Sequence, residues 1–250
     1  MKKFNEFKNK IVLVTGGSKG IGRAICIKFA ESGAHVFFTY RKKDISYASL
    51  INKNFLSGGK IIGIKNSSLK EESIKSVMKI IKKKKKIINI LVNNIGDAIK
   101  RSSFVKSTDK LWFENFELNF FSAVRNSRVF LKMFKKNKNT SIINIGSIAG
   151  KSGGYGDSIH YGASKAALHT FSKALARELK GVRVNCVAPS AIDTNFQKRL
   201  SSKKRIKKII SETPIKRLGK SEEVADLVAF LASKKASYIN GAVIFMTGGR

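Results

Sequence analysis

The sequence predicts a single-domain α/β protein with a doubly wound parallel sheet of about seven strands and helices on both faces. Three observations lead to this fold class. Hydrophobic runs of strand length alternate with helix-length segments along all 250 residues. Several runs are nearly continuous in Ile and Val, which is typical of strands covered on both faces. No linker, internal repeat or low-complexity stretch divides the sequence, so we expect residues 1–250 to form one domain.

Each predicted strand is a short hydrophobic run, and a helical pattern separates it from the next strand. In chain order the strands are 11–15 (IVLVT), 35–40 (HVFFTY), 60–64 (KIIGI), 87–93 (IINILVN), 141–145 (SIINI), 182–188 (VRVNCVA) and 242–246 (AVIFM). The predicted helices are 21–32, one that ends near 57, 71–82, 109–136, 161–179 and 221–232. Repeated strand–helix–strand units favour parallel pairing, because the crossover helix returns the chain to the same end of the sheet.

The chain is strongly basic: 50 Lys and Arg residues stand against 16 Asp and Glu residues, for a formal net charge of +34. A basic surface attracts nucleic-acid phosphate, an acidic protein or an anionic cofactor. AT-rich codons encode Lys, Ile, Asn and Phe and would produce the same composition without any partner. The spread of lysines along the whole chain favours this last interpretation. No zinc spacing or RNA-binding signature is present, so we expect no specific nucleic-acid partner.

The cysteines and the N-terminus bear on the cellular compartment. Cys26 and Cys186 are too few for a disulfide framework and lack metal-ligand spacing, so we interpret both as buried apolar residues and expect no metal site. The basic N-terminus lacks the apolar stretch of a secretory signal, and no window approaches the ~18 apolar residues that span a membrane. We expect a cytoplasmic protein without membrane contact.

A glycine-rich turn, TGGSKGIG over residues 15–22, follows the first predicted strand and opens the first helix. Glycines permit positive φ angles and let a phosphate approach the backbone. The helix N-terminus offers free N–H groups to that phosphate. A strand, a turn and a helix in this order are what a dinucleotide site of a Rossmann-type fold requires. The spacing Gly-x-x-x-Gly-x-Gly differs from the general Gly-x-Gly-x-x-Gly pattern, and a plain tight turn is the alternative.

The end of the second predicted strand bears on cofactor choice. It reads Tyr40-Arg41, and no carboxylate appears before Asp44. In this fold an acid at that position hydrogen-bonds a ribose 2′-hydroxyl and selects NAD, whereas a guanidinium binds a 2′-phosphate with two hydrogen bonds. Lys19, inside the glycine turn, can reach the same phosphate. We predict NADP(H), with Arg41 and Lys19 as its determinants; the alternative is that both belong to the general excess of cations.

Tyr161 and Lys165 lie four residues apart in a predicted helix and therefore share one face. A phenol titrates near ~10, and a nearby ammonium group lowers that pKa. Such a phenol can give a proton to a carbonyl oxygen, or take one from an alcohol, at neutral pH. Ser147 follows the fifth predicted strand, and open parallel sheets bind ligands at the carboxyl ends of their strands. Ser147 is therefore placed to hydrogen-bond the substrate oxygen.

These motifs resemble the short-chain dehydrogenase/reductase family along nearly the whole chain. The matching positions are 15–22, 93–96, 119, 147, 161, 165, 185–189, 194, 214–219, 222–225 and 238–241. The resemblance implies that Tyr161 is the catalytic acid/base and that Ser147 orients the carbonyl. It implies that Lys165 lowers the pKa of Tyr161 and contacts the nicotinamide ribose. It also implies that Asn119 holds a water in a proton relay to Lys165.

The same resemblance implies a set of cofactor-binding residues. Asn93 and Gly96 line the adenosine side, and Ile192 and Thr194 contact the nicotinamide carboxamide. The full set is Gly16, Ser18, Lys19, Gly20, Ile21, Gly22, Tyr40, Arg41, Ser67, Asn93, Gly96, Tyr161, Lys165, Pro189, Ile192 and Thr194. The chain departs from the family pattern at Ile95 (usually Ala), Ser190 (usually Gly), and Ser67 and Thr247 (both commonly Asp). These departures concern cofactor affinity more than the chemistry.

Within this family the chain is most similar to the 3-oxoacyl-[acyl-carrier-protein] reductases, through residues 145–147, 171–178 and 217–219. The resemblance implies reduction of 3-oxoacyl thioesters by NADPH in fatty acid synthesis, with an acidic acyl carrier protein near Lys138 and Lys180. It also implies a homotetramer, formed through the helices that carry Trp112 and Tyr161. Dehydrogenases of sugars or small alcohols share nearly all these motifs, and a non-catalytic NADP-binding protein is a further alternative.

Overall fold

The computed structural model describes residues 5–42, 45–51, 53–66, 68–84, 87–133 and 140–250. Within these ranges the strands are β1 (Ile11–Val14), β2 (His35–Tyr40), β3 (Lys60–Lys65), β4 (Ile90–Asn93), β5 (Thr140–Ile145), β6 (Val182–Pro189) and β7 (Val243–Met246). They form one sheet in the order β3-β2-β1-β4-β5-β6-β7, and every neighbouring pair is parallel. The predicted parallel sheet is therefore confirmed.

Helices cover both faces of this sheet. They are α1 (Gly20–Glu31), α2 (Ile45–Ile51), α3 (Glu71–Lys83), α4 (Asp109–Phe116), α5 (Ser122–Met133), α6 (Ala149–Ser152), α7 (Ile159–Glu178), α8 (Asn195–Leu200), α9 (Lys203–Glu212) and α10 (Ser221–Ala232). Phe29 of α1 and Val228 of α10 belong to the apolar cluster on one face, and Met78 of α3 and Phe130 of α5 belong to the cluster on the other. Among the described residues, none of these helices has the length and apolar character needed to traverse a bilayer.

The helices depart from the prediction in two places. The helix expected over 109–136 contains a π-helical turn, Glu117–Phe121, between α4 and α5, and its last residues lie outside the described ranges. A π turn has one more residue per turn than an α-helix, which the hydrophobic periodicity of a short stretch does not reveal. Two further helices, α8 and α9, lie between β6 and α10, in a stretch where the sequence patterns predict no helix.

The strand order sets the position of the functional site. The sheet extends from β1 in one direction through β2 and β3, and in the other through β4 to β7. Open α/β sheets bind ligands in the crevice at such a switch point, beyond the carboxyl ends of the strands. The glycine turn after β1 and the segment after β4 both lie at this edge.

Buried amides and hydroxyls connect β4 and β5 to two helices. Asn93 Nδ2 on β4 donates to Asn144 Oδ1 on β5 (2.8 Å) and to Ser127 Oγ on α5 (3.1 Å). Asn144 Nδ2 in turn donates to Ser172 Oγ on α7, at 2.8 Å. All four side chains are buried, and a buried amide that lacks a partner costs about 1–3 kcal/mol. The network therefore fixes α7, the helix that carries Tyr161, against the sheet.

Replacement of Asn144 by alanine tests this network. The variant removes the acceptor of Asn93 and the donor to Ser172, so we expect the free energy of unfolding to fall by about 2 kcal/mol. Urea denaturation measures the change. Asn54→Ala, at an exposed amide, is the matched control and should lose less than about 0.5 kcal/mol. Equal losses in the two variants would show that the buried bonds add no stability.

Candidate active site

The glycine turn requires glycine at four positions. Gly16 and Gly20 adopt φ angles of +66° and +54°, a region that side chains rarely tolerate. A Cβ on Gly17 would lie 2.6 Å from Phe38 Cβ, and one on Gly22 would lie 2.5 Å from Gly16 O. The backbone of the turn is therefore tightly packed against the edge of the sheet and carries no side chain at these four positions.

The N-terminus of α1 is open to an anion. Its N-cap residue, Lys19, makes no side-chain capping hydrogen bond, and the first turn holds no acidic residue. The first N–H groups of the helix thus lack a side-chain cap and carry the positive end of the helix dipole. Ser18, Gly20 and Ile21 are at least partly exposed at this point. These donors fit the pyrophosphate of a dinucleotide.

Two side chains outside the predicted set hold the turn in place. Asn94 Nδ2 donates to the carbonyls of Thr15 and Gly16, both at 3.0 Å. Thr39 Oγ1 accepts from the Gly16 N–H at 3.0 Å. Asn93 was expected on the adenosine side, but its side chain lies in the interior network. Side chains alternate across a strand, so Asn94 is the neighbour that faces the turn, and Asn93 offers this edge only its backbone.

The predicted 2′-phosphate determinants lie on the surface near the turn. Gly17 N donates to Thr39 O at 3.1 Å, which joins the end of β2 to the glycine turn. Arg41 follows two residues later, and the side chains of Arg41 and Lys19 are both exposed. Tyr40 is buried, with 6% of its surface exposed. Ser67 lies outside the described residues.

A small pocket opens beside the turn on the predicted adenosine side. Its lining residues include Thr15, Thr39, Asn66, Ile95 and Asn126. Ile95 Cγ1 would lie 3.2 Å from a Cβ built on Gly16. Ile95, which stands where the family pattern has Ala, is therefore both a wall of this pocket and a neighbour of the turn.

Tyr161, near the start of α7, and Ser147, just after β5, are brought together as predicted. The Ser147 hydroxyl lies next to the phenol and accepts from the Ala149 N–H at 3.2 Å. Burial raises the pKa of Tyr161 to about 12; the nearby Ser147 hydroxyl lowers it, and the Asp97 carboxylate raises it further. In the protein alone the phenol therefore keeps its proton at neutral pH.

Lys165 is a buried cation beside the phenol ring. Its Nζ donates to Ile145 O at 2.9 Å and lies 5.8 Å from the centroid of the Tyr161 ring. Only 3% of Lys165 is exposed, and burial lowers its pKa to about 8. The expectation that Lys165 brings the pKa of Tyr161 below the ordinary phenol value is wrong for the protein alone, because desolvation of the phenolate is the largest effect on that pKa.

The π turn contains Asn119, whose side chain lies close to Gly96, as Lys165 Nζ also does. Asn119 Nδ2 donates to Asp97 O (2.8 Å) and Asn115 O (2.9 Å), and its Oδ1 accepts from Asp97 N (3.0 Å). A Cβ on Gly96 would lie 2.8 Å from Lys165 Nζ and 2.9 Å from Asn119 Oδ1. Glycine at position 96 thus leaves room between the amide and the ammonium group.

The segment after β6 closes the site. Pro189 ends β6, and the buried Ile192 forms a β-bridge with Gly219. Thr194 Oγ1 donates to Ile192 O at 3.3 Å, and its Cγ2 would lie 3.6 Å from a Cβ on Gly20. Phe196, which the sequence motifs did not indicate, follows at the start of α8 with its ring centroid 6.3 Å from that of Tyr161.

One edge of the parallel sheet holds both a glycine turn suited to phosphate binding and a phenol that keeps its proton. These features place the protein in the class of dinucleotide-dependent oxidoreductases. Comparison with known proteins narrows the class. A family model described as enoyl-(acyl carrier protein) reductase matches residues 16–250. The crystal structure of a short-chain dehydrogenase/reductase from Brucella melitensis, described as a glucose/ribitol dehydrogenase, is 32% identical, with a TM-score of 0.88 over 98% of this chain and 97% of that one. The chain belongs to the short-chain dehydrogenase/reductase family.

Several further relatives are similar over nearly their whole length. The 3-oxoacyl-[acyl-carrier-protein] reductase FabG of Escherichia coli is 38% identical over 97% of this chain and 98% of its own. The protein of the same name from Buchnera aphidicola subsp. Schizaphis graminum is 37% identical over 98% of both. A short-chain dehydrogenase of Burkholderia cenocepacia in complex with NADP is 28% identical, with a TM-score of 0.89 and 98% of both chains covered.

Lys165→Met tests the buried ammonium through stability. The folded pKa of about 8 lies below the value of 10.5 for an unperturbed lysine. Between these values the unfolded chain binds more protons than the folded one, so the Lys165 contribution to stability rises with pH. We expect the free energy of unfolding of wild type, relative to that of Lys165→Met, to increase from pH 8 to pH 10 by up to about 1.4 kcal/mol per pH unit. Urea denaturation of both proteins measures the difference, and a constant difference would contradict the assignment.

Proposed function

We propose that the chain is an NADPH-dependent reductase that converts the ketone of 3-oxoacyl thioesters on an acyl carrier protein into an alcohol. One observation carries the proposal: the Tyr161 phenol lies next to the Ser147 hydroxyl, with Lys165 Nζ 5.8 Å from its ring, at the edge that holds the glycine turn. Two hydroxyl groups aimed at one place suit the oxygen of a carbonyl group, where negative charge develops during reduction.

The nicotinamide, when bound, supplies the hydride that reaches the carbonyl carbon. The Ser147 hydroxyl donates a hydrogen bond to the carbonyl oxygen and orients the ketone. Tyr161 transfers its proton to that oxygen, and the product is a secondary alcohol. Burial keeps this proton in place until then, because it holds the pKa of Tyr161 at about 12. The same residues serve the reverse reaction, in which the phenolate takes the proton.

Lys165 and Asn119 support the proton transfer. The ammonium group of Lys165 stabilises the phenolate that remains when Tyr161 has given up its proton, and it would also hold the ribose of a bound nicotinamide nucleotide. Its pKa of about 8 allows it to pass on a proton at neutral pH. Asn119, whose Oδ1 lies on the other side of the Gly96 position, holds a water that continues the relay from Lys165.

The cofactor proposal rests on charge. The N–H groups at the start of α1 bind the pyrophosphate, and Arg41 with Lys19 binds a 2′-phosphate, which selects NADPH over NADH. Gly96, Pro189, Ile192 and Thr194 complete the proposed cofactor site. The NADP complex of the similar Burkholderia cenocepacia dehydrogenase supports this choice.

The carrier-bound substrate is proposed from the names of the relatives and from the charge. The curated relatives are 3-oxoacyl-[acyl-carrier-protein] reductases at 36–38% identity. A net charge of +34 would speed the encounter with an acidic carrier. Lys180 is exposed, as docking requires, and Lys138 lies outside the described residues. Phe113 and Phe121, 71% and 40% exposed, support assembly of a homotetramer through α4, the π turn and α7.

Two other functions have an observation in their favour. The description of the matching family model names an enoyl reductase, which would reduce a carbon–carbon double bond. The similar Brucella melitensis protein is described as a glucose/ribitol dehydrogenase, which supports a sugar alcohol as substrate. Turnover of a crotonyl thioester or of ribitol, without turnover of an acetoacetyl thioester, would favour one of these over our proposal.

Tyr161→Phe tests the proposed chemistry. We expect wild type to oxidise NADPH in the presence of acetoacetyl thioester of an acyl carrier protein, and the variant to lose this activity by at least about 100-fold, because it has no proton to donate. NADPH binding, followed by fluorescence titration, should change by less than about twofold, since the variant loses one hydroxyl and keeps the proposed contacts to the pyrophosphate and the 2′-phosphate. Tyr238→Phe, at a fully exposed phenol, is the control. Full activity of Tyr161→Phe would refute the mechanism.

Arg41→Asp tests the choice of cofactor. The variant replaces a donor pair by a charge that repels a 2′-phosphate, so the preference for NADPH over NADH should fall about 100-fold in kcat/KM. Lys79→Asp, an equal change of charge on the exposed side of α3, should leave the preference unchanged. An unaltered preference in Arg41→Asp, or equal use of NADH by wild type, would show that Arg41 is not the determinant.

A further inference from the structure

The segment 195–212, which contains α8 and α9, begins beside the active site, and we call it the lid. Phe196 at its start lies against Tyr161, with 6.3 Å between ring centroids. The lid follows Thr194, whose methyl group lies close to Gly20 in the glycine turn. The start of the lid thus lies close to both the catalytic phenol and the glycine turn.

Asp97 joins the lid to the sheet. It lies in the segment that follows β4, whereas Arg199 belongs to α8. Arg199 Nη2 lies 2.5 Å and 2.6 Å from the two Asp97 carboxylate oxygens, and its Nη1 donates to Ile99 O at 3.0 Å. Charge-assisted contacts to both oxygens fix the orientation of a guanidinium group as well as its distance.

The residue between these contacts is held in an unfavourable conformation. Ile99 has a φ angle of +61°, which is an outlier for a β-branched residue. Its N–H donates to Asp97 Oδ1 at 2.8 Å, and its carbonyl accepts from Arg199. Such strain persists only where surrounding contacts hold it, and here the same ion pair that fixes the lid holds Ile99.

A second carboxylate, that of Asp157, contacts the second helix of the lid, α9. Asp157, in the loop before α7, contacts Arg205 of α9 at 3.1 Å and Arg101 at 2.7 Å. Arg101 Nε also donates to Leu200 O, at 2.6 Å, at the end of α8. Only 16 residues of the 250 are acidic, and two of them bind lid arginines beside the site.

We propose that Asp97 and Asp157 are positioning residues, which hold the lid closed over Tyr161 through Arg199 and Arg205 and so set the fraction of molecules ready to react. The inference rests on the proposed function in taking Tyr161 as the proton donor. Closure excludes water from the phenol and completes the substrate pocket. A protein that is competent only when closed binds substrate with an apparent affinity reduced by its open fraction.

Hydrogen exchange of the whole chain tests the lid without any substrate. Asp97→Asn removes the charge but keeps an oxygen that can accept from the Ile99 N–H. We expect amides of residues 195–212 to exchange about fivefold faster in this variant, equivalent to about 1 kcal/mol. Asp226→Asn is the matched control. Asp226 on α10 forms an ion pair with Lys28 on α1 at 2.5 Å, and neither helix belongs to the lid. The control should leave lid exchange unchanged.

Kinetics separate positioning from catalysis. In Asp97→Asn and in Asp157→Asn, the KM for the acetoacetyl thioester should rise, by up to about fivefold, while kcat stays within about twofold. The KM of Arg199→Lys should stay close to the wild-type value, because the positive charge is kept. The KM of Arg199→Gln should rise as much as that of Asp97→Asn. Asp157→Asn matters here because it leaves the Asp97 charge near Tyr161 in place.

The outcomes distinguish this inference from the proposed function. Unchanged lid exchange in Asp97→Asn and Asp157→Asn would overturn the role of the ion pairs, whatever the activity. Faster exchange together with an unchanged KM would also overturn it, since the lid would then have no bearing on substrate. Absence of turnover in wild type would refute the proposed reductase function, while the exchange measurement would still decide whether the carboxylates hold the lid.

Discussion

The burial of the Lys165 ammonium group is the constraint on which the active site depends. A lysine that is 3% exposed must satisfy its charge within the protein, and here the carbonyl of Ile145 at the end of β5 accepts from it at 2.9 Å. Glycine at position 96 leaves room for this group, since a Cβ there would lie 2.8 Å from Nζ. The network of Asn93, Asn144 and Ser172 keeps α7 against β4 and β5, and so keeps the ammonium group under the phenol ring. The cost of this burial appears in the lowered pKa of the lysine.

Features with a local signal could be predicted from the sequence. The glycine turn has its strand before it and its helix after it, and Tyr161 and Lys165 share a helix face because four residues make about one turn. Features that depend on the third dimension could not. The side chains of Asn93 and Asn94 face opposite sides, and only the strand register decides which one meets the turn. Arg199 and Asp97 are 102 residues apart in the chain, so no spacing rule connects them. The pKa of Tyr161 was expected to fall, but it rises, because burial cannot be read from a motif.

Several of the few acidic residues form ion pairs with arginines at structurally important places in this basic chain. Glu117 pairs with Arg125 at 2.6 Å beside the π turn, and Glu223 pairs with Arg217 at 2.6 Å at the start of α10. Asp97 and Asp157 perform the same role at the lid. These carboxylates thus lie where a loop or a helix end must be held, and many of the remaining cations are left to solvent and to anionic ligands. The chain can therefore have a strongly basic surface and still form specific ion pairs beside its active site.

The π turn also limits how this protein can change. A π turn amounts to an α-helix with one inserted residue, and loss of that residue would restore regular α-helix from Asp109 to Met133. Five residues of a π turn wind about as far around the helix axis as four residues of an α-helix, so α4 and α5 would keep their alignment after such a deletion. A single codon deletion near Asn119 would therefore leave the packing of both helices in place and change the position of the side chains within the turn, Asn119 among them. The fold would survive the loss of this residue, whereas the contacts of the Asn119 amide would not.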